Sequence, residues 1–191
     1  MRLILTLLVL IPSSALAHAP IEGMNHFFNG VLHPVLIPAH IILLLATGLL
    51  IGRQGDEAIA GAVPVFMVAV IAGVLLSQWA VNLDVAPILL TTAILLGSVL
   101  VWGRQLPIML LRISALTAAL LVGIDSSQET FSGEERYIAL FGTVVGVSFL
   151  VVYVAGMTEV IRKWLHGIPV RVLGSWLVAS SLMVLVLGLQ K

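Results

Sequence analysis

Long apolar segments separated by short polar connections dominate the chain. Six of them follow an apolar N-terminus, and each is close to the ~20 residues that a helix needs to cross a bilayer. They cover residues 30–52, 58–80, 86–102, 106–124, 137–161 and 170–189. The pattern predicts an all-α polytopic membrane protein, a six-transmembrane-helix bundle whose connections are too short to hold a second domain.

The first residues have the pattern of a cleavable bacterial signal peptide. A positively charged start precedes an apolar stretch, and Ala15-Leu16-Ala17 supplies a cleavage site of the A-x-A type. We therefore predict a signal peptide over residues 1–17 and a single six-helix transmembrane domain over residues 18–191. An uncleaved N-terminal anchor is the alternative.

The charged side chains predict the orientation of the bundle. With the mature N-terminus outside, most basic residues fall on the cytoplasmic side, as the positive-inside rule requires. We expect a protein of the bacterial cytoplasmic (inner) membrane with both mature termini in the periplasm. The cytoplasmic basic residues are Arg53, Arg104, Arg162, Lys163 and Arg171, and the outer ones are Arg136 and Lys191. Most acidic residues fall outside, namely Glu22, Asp84, Asp125, Glu129, Glu134 and Glu135.

Composition excludes several classes of function. The chain is 60% hydrophobic and 9% charged, which is incompatible with a soluble domain, and its zero net charge argues against nucleic acid as a partner. The absence of cysteine excludes disulfides, thiolate zinc sites and iron–sulfur clusters. No phosphate-binding glycine loop is present, so transport would be passive, ion-coupled or driven by a separate subunit.

A row of histidines opens the first predicted span. His26, His33 and His40 are spaced by seven residues, which turns an ideal helix through about 700° and raises it by about 10.5 Å. The three rings would therefore point in nearly the same direction, leading from an aqueous face into the bilayer. Ionisable side chains in a membrane span are costly and often functional, so the row indicates a metal or proton path.

Two prolines modify this row. On a straight helix, histidines one heptad apart lie too far apart to share one ion, but Pro34 and Pro38 predict that the span starts kinked or partly unwound. The alternative is structural, with His33 capping a helix start and His40 hydrogen-bonded to a neighbouring span. The acidic residues predicted on the outer side would attract a cation to this row. The candidate metal residues are therefore His18, His26, His33, His40, Glu22, Asp125 and Glu129.

Two other metal chemistries are weaker alternatives. Cleavage after residue 17 would expose the α-amine and imidazole of His18, which together can chelate copper, with His26 as the nearest second ligand. Haem is not expected, because His33 and His40 share one span and no other predicted span contains a histidine.

Gly142 and Gly146 form a small-xxx-small face that predicts close helix packing.

The segment around the prolines resembles the HupE/UreJ family of hydrogenase and urease accessory membrane proteins. The family has a G-x-x-HP-x-x-G-x-DH stretch at its first span, which Gly30, His33, Pro34 and His40 match here. Ile37 and Ala39 replace the family glycine and aspartate. Many members carry a second histidine-rich stretch, whereas residues 123–129 contain no histidine.

This resemblance implies a non-enzymatic role in metal uptake. A divalent cation, nickel or else cobalt or copper, would pass from the periplasm through a histidine-lined entrance for metalloenzyme maturation. The alternative is a non-transporting membrane subunit of a larger metalloenzyme or respiratory complex, with a vestigial or repurposed metal motif. Both a complex with other membrane proteins and a homo-oligomer stay open as assemblies in the lipid bilayer.

Overall fold

The computed structural model describes residues 23–79, 84–127, 131–165 and 167–190. The predicted signal peptide and the candidate metal residues His18, Glu22 and Glu129 lie outside these ranges.

The described part of the chain is all-α, which confirms the predicted fold class. Helices account for 87% of it and it contains no strand. The helices, numbered here in chain order, are α1 (His26–Leu36), α2 (Pro38–Arg53), α3 (Asp56–Leu76), α4 (Ala86–Trp102), α5 (Ile108–Ile124), α6 (Gly133–Leu165) and α7 (Ile168–Leu189), with a short 3₁₀ turn at Ser77–Trp79.

Three of these helices are long and apolar enough to cross a membrane. They are α3 with its 3₁₀ extension, α6 and α7, and the bent pair α1–α2 would count as a fourth span. The helices α4 and α5 are apolar but have only 17 residues each, at the lower limit for crossing. The described residues therefore contain three or four candidate spans by length and composition, and the six-span count stays a prediction.

The first predicted span is broken rather than continuous. Ile37 separates α1 from α2, and the two helices are bent by 77°. Pro38 at the start of α2 has no amide hydrogen, and it pushes the residue before it out of the helical region. Ile37 accordingly has an extended backbone with φ −94° and ψ 115°. The predicted proline kink is thus confirmed, and it takes the form of a complete break.

The helix α2 lies at the centre of the bundle. Twelve of its 16 residues are buried, and it contacts every other α-helix described. A helix that is apolar on all sides is expected in such a core position. Large exposed apolar side chains on the outer helices, such as Leu95 and Phe149, form a surface suited to lipid.

The small residues of α6 allow α1 to pack directly on its backbone. A Cβ atom added at Gly142 would overlap the Phe27 carbonyl, and one at Gly146 would overlap the Val31 carbonyl. Thr143 lies between them and its hydroxyl donates to the Gly30 carbonyl at 3.2 Å. The predicted packing face is therefore confirmed, with α1 as its partner.

The charged residues separate to the two ends of the bundle. Arg53 and Arg171 donate to carbonyls at the end of α4. At this same end, Arg162 and Lys163 pair with Glu159, whose carboxylate is buried. The basic residues predicted to be cytoplasmic thus share one end, and the side of the membrane that this end faces stays a prediction.

A pair of glycine substitutions in α6 tests this packing. Gly142→Ala forces the new methyl group against the backbone of α1, and overpacking of this kind costs about 1–3 kcal/mol. Gly156→Ala is the matched control on the same helix, because its Cβ would meet nothing within 4 Å. We expect the first variant to lower the thermal unfolding midpoint in detergent and the second to leave it unchanged or raise it. Equal midpoints for the two variants would contradict the α1–α6 contact.

Candidate functional site

The break at Ile37 brings two histidines of the row together. His33 ends up near the last turn of α1 and His40 in the first turn of α2, and their ring centres are 5.8 Å apart. On a straight helix they would be separated by about 10.5 Å along the axis. Both side chains are buried, and the rings meet at 69°, edge to face.

Asp125 joins this pair from another helix. It is the C-cap residue of α5, directly after Ile124, and its Oδ2 lies 2.8 Å from Nε2 of the fully buried His40. With the carboxylate ionised and the ring neutral, Nε2 of His40 is the donor, because an ionised carboxylate can only accept a hydrogen bond. This tautomer leaves the lone pair on Nδ1, which is buried and has no hydrogen-bond partner among the described residues.

His26 does not join the buried pair. It begins α1, seven residues before His33, and its side chain is 38% exposed. Its Nε2 lies 3.5 Å from Oε1 of Glu135, and its ring contacts the edge of Phe131. The predicted row of histidines is therefore split into an outer His26–Glu135 pair and a buried His33–His40–Asp125 group.

Asn29 is a further polar neighbour of the buried pair, and the sequence pattern alone does not single it out. It lies one helical turn before His33 on α1 and is buried, and its side-chain amide donates to the Met24 carbonyl at 3.0 Å. The i,i+4 spacing from His33 was the available signal, since residues four apart share a helix face. The sequence predicts Glu135 only as one of the acidic residues on the outer side.

The predicted ligand set does not form a closed metal cage. Within the described ranges, no group of three or more histidine, cysteine, aspartate or glutamate side chains is arranged to hold one ion. His33, His40 and Asp125 form a chain of neighbours, His26 lies apart from them, and His18, Glu22 and Glu129 are not described. The arrangement offers the ring nitrogens of His33 and His40 as ligands, and the carboxylate of Asp125 contacts the His40 ring.

Between His40 and Arg53, the side chains of α2 are apolar with one exception. Thr47 is the only polar side chain of α2 between His40 and Arg53, and its hydroxyl donates to the Leu43 carbonyl. The residues around it on α2, such as Leu44 and Leu50, are fully buried. Along α2, the buried histidines are thus separated from the basic end of the bundle by a buried apolar layer.

Comparison with known proteins gives one finding. The family model for the HupE / UreJ protein matches residues 6–184, nearly the whole chain. No curated protein matches the chain, and no solved structure does.

The His40–Asp125 contact predicts a measurable tautomer preference. Asp125→Ala removes the acceptor and leaves a buried N–H unsatisfied, at a cost of about 1–3 kcal/mol. Asp125→Asn keeps an acceptor oxygen and should cost less. Imidazole ¹⁵N chemical shifts should show Nε2 protonated in the unaltered chain and a loss of this preference in Asp125→Ala.

Glu134→Ala provides the control, because Glu134 is an exposed carboxylate at the same end of the bundle. It should leave the His40 ring unchanged and shift the unfolding midpoint less than Asp125→Ala. A His40 ring that keeps one tautomer in Asp125→Ala would contradict the assigned contact.

Proposed function

The chain belongs to the HupE/UreJ family, and we propose that it admits a divalent transition-metal ion, nickel in the first place, from the periplasm for metalloenzyme maturation. The observation that carries the proposal is the meeting of His33 and His40 at the break, with Asp125 behind His40. Neutral imidazole is a good ligand for nickel, cobalt and copper. The proposal includes no catalysed reaction and no haem.

The two imidazoles are spaced for a shared ion. With metal–nitrogen bonds of about 2.0–2.1 Å, two imidazoles on one ion have ring centres about 4.5–6.5 Å apart. The 5.8 Å between His33 and His40 falls in this range. In the tautomer that donates from Nε2, the lone pair lies on Nδ1 of His40, so this nitrogen is the proposed ligand atom on that ring.

Asp125 acts in this proposal as the partner of His40 rather than as a direct ligand. Metal-binding histidines commonly donate their second ring nitrogen to a carboxylate, which fixes the tautomer and makes the ligand nitrogen more basic. The family motif has an aspartate immediately before the second histidine, where this chain has the buried Ala39. Asp125, at the end of α5, thus places a carboxylate beside His40 in a chain that has no aspartate at the motif position.

An open, incomplete ligand set suits an ion that must leave again. Conduction requires binding that is strong enough to capture the ion and weak enough to release it. Two imidazoles give such a site, and the outer His26–Glu135 pair adds a weaker first contact at the same end. Delivery to the other end then requires the apolar layer around Thr47 and Leu50 to open, with the break at Ile37 as the proposed hinge.

That apolar layer also favours a second candidate function. Because α2 has no polar side chain between Thr47 and Arg53, the chain would in this case be a membrane subunit that binds the metal without transporting it. It would then act inside a larger metalloenzyme or respiratory assembly. Co-purification of partner chains in fixed ratio would support this second function.

Uptake of labelled nickel into proteoliposomes tests the proposed function. We expect saturable uptake by the unaltered chain, and a loss of at least about 10-fold in His33→Ala and His40→Ala because each removes a ligand. His26→Ala is the matched control and should retain most of the uptake, because His26 lies outside the buried group. Asp125→Asn should weaken metal affinity by about 10–100-fold.

The same preparations distinguish the two functions. Nickel binding that depends on His33 and His40, without uptake of nickel, cobalt or copper, would reject the permease and favour the subunit. Neither binding nor uptake of the three metals would reject the metal site itself. Equal losses in His26→Ala and His40→Ala would show that the break does not define the entrance.

A further inference from the structure

A polar cavity lies at the opposite end of the bundle from the histidines. Its volume is about 430 Å³, and it opens where α2 and α4 end and α7 begins. Three arginines dominate its lining, which consists of Arg53, Gly103, Gln105, Arg162, Gly167 and Arg171. None of these residues belongs to the proposed metal site.

The three arginines differ in how their charges are balanced. Arg162 makes two hydrogen bonds to the buried carboxylate of Glu159, at 2.9 and 3.1 Å, and Lys163 binds the same carboxylate at 3.0 Å. No carboxylate in the described ranges pairs with Arg53 or Arg171, and the two guanidinium groups repel each other. The cavity therefore has an excess of positive charge.

Both unbalanced arginines are fixed by the carbonyl end of α4. Arg53 donates to the Leu100 and Gly103 carbonyls, and Arg171 donates from Nε to the Val101 carbonyl at 3.0 Å. Cations are favourable at a helix C-terminus, which explains one arginine here. A guanidinium has five N–H donors, so these contacts leave several donors of each side chain for another acceptor.

The two guanidinium groups converge on Gly103. It ends α4 in the left-handed region at φ 83°, where side chains are strained. A Cβ atom at this position would lie 3.4 Å from Nε of Arg171 and 3.5 Å from Nη2 of Arg53. Two like charges are thus held around one glycine, an arrangement that an anion would stabilise.

The cavity lies at the level expected for lipid headgroups. Trp102 precedes Gly103 and is 64% exposed, and Arg104 stacks on its ring at 5.0 Å. Trp164, on α6 beside Lys163, is 79% exposed. Exposed tryptophans mark the interface between membrane and water, and basic pockets between membrane helices at this level bind acidic headgroups.

We propose that this cavity binds the phosphate of an anionic phospholipid headgroup through Arg53 and Arg171. Planar guanidinium groups form paired hydrogen bonds with phosphate oxygens, and the site offers two of them on one side of a cavity. The phosphate would cancel the repulsion between the two arginines and join the ends of α2, α4 and α7.

Lipid binding to the purified full chain in a neutral detergent tests this site. Phosphatidylglycerol should bind saturably and phosphatidylcholine at least about 10-fold more weakly, as counted by native mass spectrometry. Arg171→Gln and Arg53→Gln should each weaken phosphatidylglycerol binding by about 10-fold. Arg104→Gln, an arginine of the same end outside the cavity lining, should change it less than about twofold.

A conservative variant separates binding from folding. Arg171→Lys keeps the positive charge near the end of α4 but lacks the planar fork, so it should fold normally and bind phosphatidylglycerol more weakly. Circular dichroism and the unfolding midpoint show whether each variant is folded. If Arg171→Gln does not fold, the comparison of Arg171→Lys with the unaltered chain decides the question.

Three results would overturn the proposal. Phosphatidylglycerol binding that is unchanged in the folded arginine variants would show that these residues only cap α4. Equal binding of phosphatidylcholine would show that the charge is irrelevant. Displacement of phosphatidylglycerol by low millimolar inorganic phosphate would assign the cavity to a free anion instead of a lipid.

Discussion

The ring of Pro38 is the constraint on which the architecture depends, because it crowds the backbone of Ile37 and removes an amide hydrogen. It prevents α1 from continuing into α2 and holds Ile37 in an extended conformation, and the two helices then diverge by 77°. Without this break, His33 and His40 would lie two turns apart on one helix face. With it, α1 packs on α6, α2 enters the core, and the two rings meet at the corner.

The long helix α6 makes this corner possible. Its 33 residues extend over about 50 Å, more than the ~30 Å of a bilayer's hydrocarbon core. Its first half receives α1 at Gly142 and Gly146, and its second half receives α2, where a Cβ at Gly52 would overlap the Ala155 carbonyl. Two helices that diverge sharply are thus supported by one continuous helix, and small residues at each contact set their positions.

The sequence predicted the features that depend on local chemistry. The apolar periodicity, the prolines and the Gly142–Gly146 face correctly indicated an all-α bundle with a broken first helix. The single sequence could not show that Asp125 meets His40, because the two residues are 85 positions apart and periodicity does not tell which helices are neighbours. For the same reason, the sequence could not show that His26 lies apart from His33 and His40.

The distribution of charge links the two ends of the molecule. Imidazoles and carboxylates at one end favour a cation, whereas the excess of arginine charge at the other end opposes its arrival. A cation that crossed the apolar layer would therefore meet repulsion from Arg53 and Arg171. A lipid phosphate held between these arginines would cancel much of that repulsion, so an anion bound at one end would lower the barrier to a cation entering from the other.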